Sequence, residues 1–177
     1  MFPTRRNSLR LQGFDYSAQC SYFITIVTQG RMCRFGDVCD GELVLNDAGK
    51  KMEEAWQLTL GQFPDTADVA HVIMPNHVHL LVSSGGTTSV TEVVRWFKSK
   101  STSMYVNGVK ELGWPRFESR LWQTRFYDVI IRNSRAHEYV ENYIYNNPQR
   151  WSLDRLNADA DLTRADNVSA ALRLINW

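Results

Sequence analysis

The sequence predicts an α+β domain: an antiparallel sheet of ferredoxin-like, split β-α-β type with helices on one face, followed by one further helix. Apolar, β-branched segments alternate with two amphipathic segments of helical period. The two central strand segments are separated only by Pro75 and Asn76, and a third helical segment follows the last strand. The chain has 177 residues, 44% of them apolar, which is enough for one such domain with a full core.

The first half of the fold begins with a predicted strand at residues 21–28. Asp40-Gly41 indicates a hairpin whose return strand covers 42–45. Asn46 is the expected N-cap of the first helix, which ends near Gly61. The predicted core-facing residues of this helix are Ala48, Met52, Ala55, Trp56 and Leu60.

The second half begins with strands at 69–74 and 77–82, joined at Pro75-Asn76. Ser89 and Glu92 have the spacing of a capping box, which predicts the start of the second helix. Its expected buried residues are Val90, Val93, Phe97 and Met104, and its expected outer residues are Arg95, Lys98 and Thr102. A fourth strand is predicted within 122–131, and Asn133 or Ser134 caps a last helix that Pro148 stops.

Two histidines one residue apart, His77 and His79, mark the candidate site. In a strand, residues i and i+2 point to the same face and lie about 6.5–7 Å apart, so both imidazoles face one side of the sheet. A single histidine in such a place is usually a structural residue. Two on one face can hold a divalent metal ion when a third ligand comes from elsewhere in the chain.

The last helical segment supplies the remaining site candidates. At 3.6 residues per turn, Tyr143 and Asn147 lie one turn apart along an apolar stripe. This stripe consists of Ala136, Val140 and Ile144. Of the three tyrosines in the segment, Tyr143 is best aimed at the sheet, Tyr139 is second and Tyr145 is the poorest. Two histidines and the Asn147 oxygen would suit Mg²⁺ or Mn²⁺, with open positions for a phosphate oxygen.

The distribution of charge indicates a candidate phosphate-binding surface. The net charge is only +1, but residues 95–135 contain nine Lys and Arg against three acidic residues. A local basic stretch can bind nucleic-acid phosphates, although a solvated charged surface explains it equally well. The candidate DNA-binding residues are Arg5, Arg6, Arg10, Arg95, Lys98, Lys100, Arg120, Arg125 and Arg132.

The three cysteines indicate the compartment rather than the site. Cys20, Cys33 and Cys39 form no CxxC pair, and the spacing between the last two is a poor zinc pattern. Reduced thiols in a cytoplasmic protein are therefore expected. The sequence has no signal-peptide pattern and no apolar segment long enough for a membrane span, so no membrane partner is predicted.

Three motifs in order give the chain a family resemblance. They are the strand Met74-Pro-Asn-His-Val-His-Leu-Leu-Val82, the pair Trp122-Gln123 followed by Ile130-Ile-Arg-Asn133, and Tyr143-Ile-Tyr-Asn-Asn-Pro-Gln-Arg-Trp151. With these motifs the chain resembles the HUH single-tyrosine transposases, and among them the REP-associated tyrosine transposases of bacteria. The opening residues 6–16 are also similar, so the resemblance covers about residues 5–154.

The resemblance implies a site and a reaction. Tyr143 would attack a phosphodiester of single-stranded DNA beside a hairpin, keep a 5′-phosphotyrosine link and release a 3′-OH. His77, His79 and Asn147 would hold Mg²⁺ or Mn²⁺, and no nucleotide cofactor would be needed. The expected partners are repetitive palindromic DNA elements, and the protein would be a monomer or a homodimer in the bacterial cytoplasm. A single HUH endonuclease-type domain would cover residues 1–154, and a tail with a short helix would cover 155–177.

Two other functions remain compatible with these residues. The first is a protein of the same fold that binds structured DNA or RNA without cleaving it. The second is a metal-dependent phosphodiesterase that uses water, which would tolerate Tyr143→Phe. The presence of all four candidates favours the transposase, because a binding protein would not need them all. Trp122 and Trp151 are interpreted as packing residues rather than base-stacking platforms, and Gln123 as a partner for backbone groups.

Overall fold

The computed structural model describes residues 20–160 and 171–172. Its strands are β1 (Ser21–Val27), β2 (Gly36–Cys39), β3 (Glu42–Leu45), β4 (Thr66–Ile73), β5 (His77–Ser84) and β6 (Tyr127–Ile131). Its helices are α1 (Asp47–Gln62), α2 (Val90–Glu111) and α3 (Ser134–Tyr145), with 3₁₀ turns at Gln29–Arg31 and Pro148–Leu153. The element order confirms the predicted α+β arrangement.

The main sheet of the described residues is antiparallel, with the strand order β4-β5-β1-β6. Strand β5 therefore pairs on both sides, and its first residue, His77, is opposite Val27 of β1. The histidine pair lies on an internal strand, as predicted, and both neighbours restrict its backbone. Strands β2 and β3 form a separate hairpin.

The two faces of the main sheet carry different helices. Val78, Leu80 and Val82 of β5 belong to a large core that also contains buried residues of α1 and α2. The alternate residue Leu81 belongs to a second core with Phe23 and the apolar stripe of α3. Because side chains alternate along a strand, His77 and His79 face the α3 side. The sheet therefore separates the histidines from α1 and α2.

The predicted helix starts are confirmed by their capping contacts. Asn46 Oδ1 accepts a hydrogen bond from Gly49 N (2.9 Å), and Asn133 Oδ1 accepts one from Ala136 N (2.8 Å). Ser89 and Glu92 form the predicted capping box at the start of α2. These contacts satisfy amide groups that the first helical turn leaves without partners.

The hairpin turn at Asp40-Gly41 forms as predicted, whereas four strands differ from prediction at their ends. Strand β4 covers Thr66–Ile73 rather than 69–74, and β5 extends to Ser84 rather than to residue 82. Asp40 and Gly41 have φ of +52° and +79°, the backbone that a type I′ turn requires. The predicted first strand ends one residue early, because Thr28 leaves β1 and forms an isolated bridge with Trp122. The predicted segment 122–131 becomes a strand only from Tyr127 onwards.

One side chain of α2 departs from the predicted pattern. Lys98 was expected on the outer face but is half-buried, and its Nζ donates to the backbone oxygens of Gln123 (2.5 Å) and Thr124 (3.1 Å). The segment before β6 folds back over α2 and leaves carbonyl groups that need a donor. The lysine thus tethers this segment to the helix.

The predictions for the two ends of the chain lie largely outside the described residues. Of the tail expected to form a short helix, residues 171–172 are helical, and Leu172 is buried in the core beside α3. Among the described helices, none has the length and apolar character needed to cross a membrane.

Candidate functional site

The two histidine rings lie together on the α3 face of the sheet. His77 is fully buried, His79 is 2% exposed, and their ring centroids are 4.4 Å apart. The Trp151 ring lies 6.0 Å from that of His77, which places the 3₁₀ turn after α3 beside the pair. The rigid internal strand β5 thus supplies two imidazoles to one protected position.

Hydrogen bonds orient both rings. The Nδ2 of Asn76 donates to the backbone oxygens of Arg31 (3.0 Å) and Leu156 (2.8 Å), so its Oδ1 is free to accept. His77 Nδ1 lies 2.9 Å from this Oδ1 and must therefore donate to it, which leaves the Nε2 lone pair available. His79 Nδ1 bonds to Thr25 Oγ1 (2.9 Å), its cross-strand neighbour. Such outer partners are typical of metal-ligating histidines.

The rings are neutral at pH 7. Burial lowers the pKa of His77 to about 3, and contact with Asn147 offsets only part of this effect. Burial, and then the neighbouring His77, hold the pKa of His79 well below its usual range. A neutral imidazole has a lone pair on one nitrogen, which is the form that binds metal ions.

Asn147 brings a carboxamide to the same place from the residue that follows α3 by two positions. Its side chain is 1% exposed, and its Nδ2 lies 3.4 Å from Asp154 Oδ2. Within the described residues, its Oδ1 and the Nε2 atoms of His77 and His79 are buried without hydrogen-bond partners. Asn147 Oδ1 and His77 Nε2 present lone pairs, and His79 Nε2 does so in the tautomer whose Nδ1 donates to Thr25, so this group can bind a cation.

Asp154 is a site residue that the sequence analysis missed. It is 5% exposed, and with His77 and His79 it forms a group whose ligand atoms lie within 4.8 Å of one another and could hold a metal ion. Asp154 follows the 3₁₀ turn, in irregular backbone where helical spacing predicts no orientation. In the sequence it is one of several tail acids, and no local signal separates it from them.

The Tyr143 ring lies next to this group. Its centroid is 5.3 Å from that of His79 and 6.0 Å from that of Phe23, and the side chain is 8% exposed. Tyr139 and Tyr145 are 36% and 62% exposed. The helical spacing therefore ranked the three tyrosines in the order of their burial, and the structure brings His77, His79, Tyr143 and Asn147 together.

The candidate DNA-binding residues are not part of this cluster. Arg95, Lys98 and Lys100 are on α2, on the opposite side of the sheet, and Arg120, Arg125 and Arg132 flank β6. Arg5, Arg6 and Arg10 lie outside the described residues.

The residues of the second motif have structural contacts. The Nε1 of Trp122, buried against Phe97, donates to Ser101 Oγ (2.9 Å), which agrees with a packing role. Gln123 Nε2 donates to Thr28 O (3.2 Å), so this side chain does satisfy a backbone group.

Comparisons of the sequence with known proteins point to DNA transposition. A model of the family described as "Transposase IS200 like" matches residues 17–147. A protein of uncharacterised function from Haemophilus influenzae is 29% identical over 179 residues, covering 87% of this chain and 94% of its own. A candidate REP-associated tyrosine transposase from the same organism is 27% identical over 138 residues, covering 76% of this chain and 73% of its own.

Two solved structures share the fold. A REP-associated tyrosine transposase bound to a REP hairpin has a TM-score of 0.61 at 19% identity, covering 95% of this chain and 91% of that chain. A transposase candidate from Deinococcus radiodurans has a TM-score of 0.52 at 17% identity, covering 77% of this chain and 95% of that chain. These two structural matches show that the chain shares its fold with both proteins.

Proposed function

The chain belongs to the IS200-like transposase family, and from this premise we propose that it cleaves single-stranded DNA beside a hairpin and rejoins strands through Tyr143. One observation carries the proposal: the Tyr143 ring packs against His79, beside a buried group of candidate metal-ligand atoms that have no hydrogen-bond partner among the described residues. A phenol beside a cation site is the arrangement that phosphoryl transfer to tyrosine needs. The match to a hairpin-bound REP transposase supports a hairpin substrate.

His77, His79 and Asn147 are the proposed ligands of a divalent cation. The fit rests on three buried atoms, His77 Nε2, His79 Nε2 and Asn147 Oδ1, which have no hydrogen-bond partner among the described residues. Mixed nitrogen and oxygen donors suit Mg²⁺ or Mn²⁺. When bound, such an ion polarises a phosphate oxygen and so makes the phosphorus more electrophilic.

Tyr143 is the proposed nucleophile. Its phenolic oxygen forms a bond to phosphorus while the bond from phosphorus to the 3′-oxygen breaks. The phenol loses its proton, the 3′-oxygen gains one as it leaves, and the 5′-phosphate stays on the tyrosine. Attack by a second 3′-OH on this link reverses the step and joins two strands. Because the link conserves the energy of the phosphodiester, no nucleotide cofactor is required.

The neutral histidines contribute orientation and not proton transfer in this proposal. Asn76 and Thr25 fix the Nδ1 atoms, so both Nε2 atoms remain directed into the group. Burial behind the 3₁₀ turn limits access of water. A site that excludes water protects the phosphotyrosine link from hydrolysis.

A basic groove is the proposed path for the DNA backbone. Two adjoining cavities of about 520 and 180 Å³ share Lys98 and Thr124, and Arg120 lines one while Arg95 lines the other. Gln123, which also lines the groove, donates its N–H to Val27 O, and Val27 is paired with His77. The groove therefore begins at the sheet end that carries the histidines. Guanidinium groups there would contact phosphates.

The experiment mixes the full chain with Mn²⁺ or Mg²⁺ and a labelled hairpin oligonucleotide that carries single-stranded flanks. The wild-type protein should give an adduct that survives denaturation, and Tyr143→Phe should abolish it because phenylalanine has no nucleophilic oxygen. Retardation of the hairpin on a native gel should persist in this variant. Tyr145→Phe is the matched control, since Tyr145 is exposed on the same helix and should leave the adduct unchanged.

Each of the other outcomes supports a different function. Retardation by the wild-type protein without an adduct, under any flank sequence or metal, would identify a binding protein that does not cleave. Cleavage that survives Tyr143→Phe would identify a phosphodiesterase that uses water. Either result would refute the proposed chemistry.

A further inference from the structure

Asp154 reaches the candidate metal centre from beyond the residues that the family model matches. The family match ends at residue 147, whereas Asp154 follows the 3₁₀ turn Pro148–Leu153. Its carboxylate is nevertheless buried, with Oδ2 3.7 Å from His77 Nε2. The match to the family model therefore does not include this residue, and its contacts indicate its role.

The contacts of the carboxylate leave one oxygen poorly satisfied. Oδ1 accepts the backbone N–H of Leu156 at 2.7 Å. Oδ2 has the Asn147 Nδ2 at 3.4 Å, a long hydrogen bond, and faces the Nε2 of His77. Since His77 donates through Nδ1 to Asn76, that Nε2 presents a lone pair. Two acceptors face each other at this point, an arrangement that a cation between them would stabilise.

Backbone contacts hold the carboxylate in this position. Asn76, the residue that orients His77, also donates to Leu156 O at 2.8 Å. Arg31 Nη1 donates to the backbone oxygen of Arg155 at 3.2 Å. The segment 154–156 is thus tied to the turn that precedes β5, so the carboxylate is fixed by the same residues that fix the first histidine.

We propose that Asp154 is a further protein ligand of the divalent cation, joining His77, His79 and Asn147. This inference rests on the metal site of the proposed function and adds a charged ligand to it. The other three ligands are neutral, so Asp154 supplies the only negative charge that the described residues place within reach of the ion. A carboxylate oxygen is a hard donor, which favours Mg²⁺ and Mn²⁺ and raises affinity for either.

The test measures Mn²⁺ binding to the full chain without DNA, by titration calorimetry and by the loss of the free-ion signal in electron paramagnetic resonance. Asp154→Asn should weaken binding at least about tenfold, because it removes the charge while its amide oxygen can still accept from Leu156. Asp159→Asn is the matched control. It removes the same charge from an exposed residue of the same segment and should bind Mn²⁺ as the wild type does.

His77→Ala separates this inference from the proposed function. If His77→Ala abolishes binding and Asp154→Asn binds as tightly as the wild type, Asp154 is not a ligand and the three-ligand site stands. If His77→Ala also binds as tightly as the wild type, the ion lies elsewhere and both proposals are wrong. Circular dichroism checks the fold of each variant. Asp154→Ser, whose hydroxyl can also accept from Leu156, replaces Asp154→Asn if the latter does not unfold cooperatively.

Discussion

At the scale of single residues, the same side-chain type occupies two opposite electrostatic environments. The rings of His77 and His79 are buried, no carboxylate of the described residues is hydrogen-bonded to them, and both rings are neutral. His71 on β4 has Asp68 Oδ2 at 2.6 Å from Nδ1 and Glu53 Oε1 at 2.7 Å from Nε2. Burial disfavours the protonated ring and lowers its pKa. The hydrogen bonds and the negative charges of the two carboxylates have a larger effect and raise the pKa of His71 to about 9. The charged ring links α1 to the edge of the sheet.

The His71 link predicts a pH dependence of stability. Because the folded pKa of about 9 exceeds the unfolded value of 6.5, the contribution is complete below pH 6.5 and is lost as the pH rises through 9. The free energy of unfolding in urea should therefore fall between pH 6 and pH 9.5 in the wild type. His71→Gln should be less stable at pH 6 and show a shallower fall. Parallel curves for the two proteins would contradict the assigned charge.

At the scale of elements, α1 contains two glycines with opposite surroundings. A Cβ added to Gly49 would lie 2.0 Å from the backbone oxygen of Phe35, which itself accepts from Asn46 N at 3.1 Å. The first turn of α1 is thus pressed against the loop before β2, and only glycine permits this approach. A Cβ added to Gly61, in the last turn, would meet nothing within 4 Å.

The two glycines predict opposite effects of the same substitution. Gly61→Ala should raise the free energy of unfolding by up to about 1 kcal/mol, because alanine loses less backbone entropy on folding. Gly49→Ala should lower it by roughly 1–3 kcal/mol, since the backbone must shift to admit the methyl group. Thermal and urea unfolding of both variants measure the difference. Equal effects would show that helix propensity alone governs both positions.

At the scale of the whole molecule, the sheet divides the proposed functions between its two faces. The candidate metal centre and Tyr143 lie on the α3 face, and the basic groove lies on the α2 side. The net charge of +1 is small, so DNA affinity depends on where the positive charges lie rather than on their sum. Lys98 is tethered to backbone oxygens, and Arg120 donates to Thr124 Oγ1 through one nitrogen of its guanidinium group. Arg95 and Arg120 are therefore the better candidates for phosphate contacts in the proposed groove.

This division predicts how salt affects DNA binding. In a Tyr143→Phe background, which prevents the proposed chemistry, hairpin affinity should fall linearly with the logarithm of the salt concentration. Arg95→Gln and Arg120→Gln should each reduce that slope by about 1, because each removes one phosphate contact. Lys50→Gln removes one positive charge on α1, where Lys50 pairs with Asp47, and should leave the slope unchanged. Equal slopes for all variants would exclude the groove as the DNA path.

The sequence by itself determined the features that depend on nearby residues. Strand alternation placed His77 and His79 on one face, helical spacing aimed Tyr143 and Asn147 at the sheet, and capping residues marked the helix starts. These signals act over two to four residues, so they survive without knowledge of the packing. The family motifs contain these same four residues, and their order along the chain indicated a transposase.

The tertiary structure decided the features that join distant segments. Asn76 meets Leu156 across 80 positions, and Thr25 meets His79 across 54. The burial of Asp154 and the tethering of Lys98 likewise depend on how irregular segments fold back over the sheet. No periodicity relates such positions, because their contact is set by the packing of the whole chain rather than by local backbone geometry.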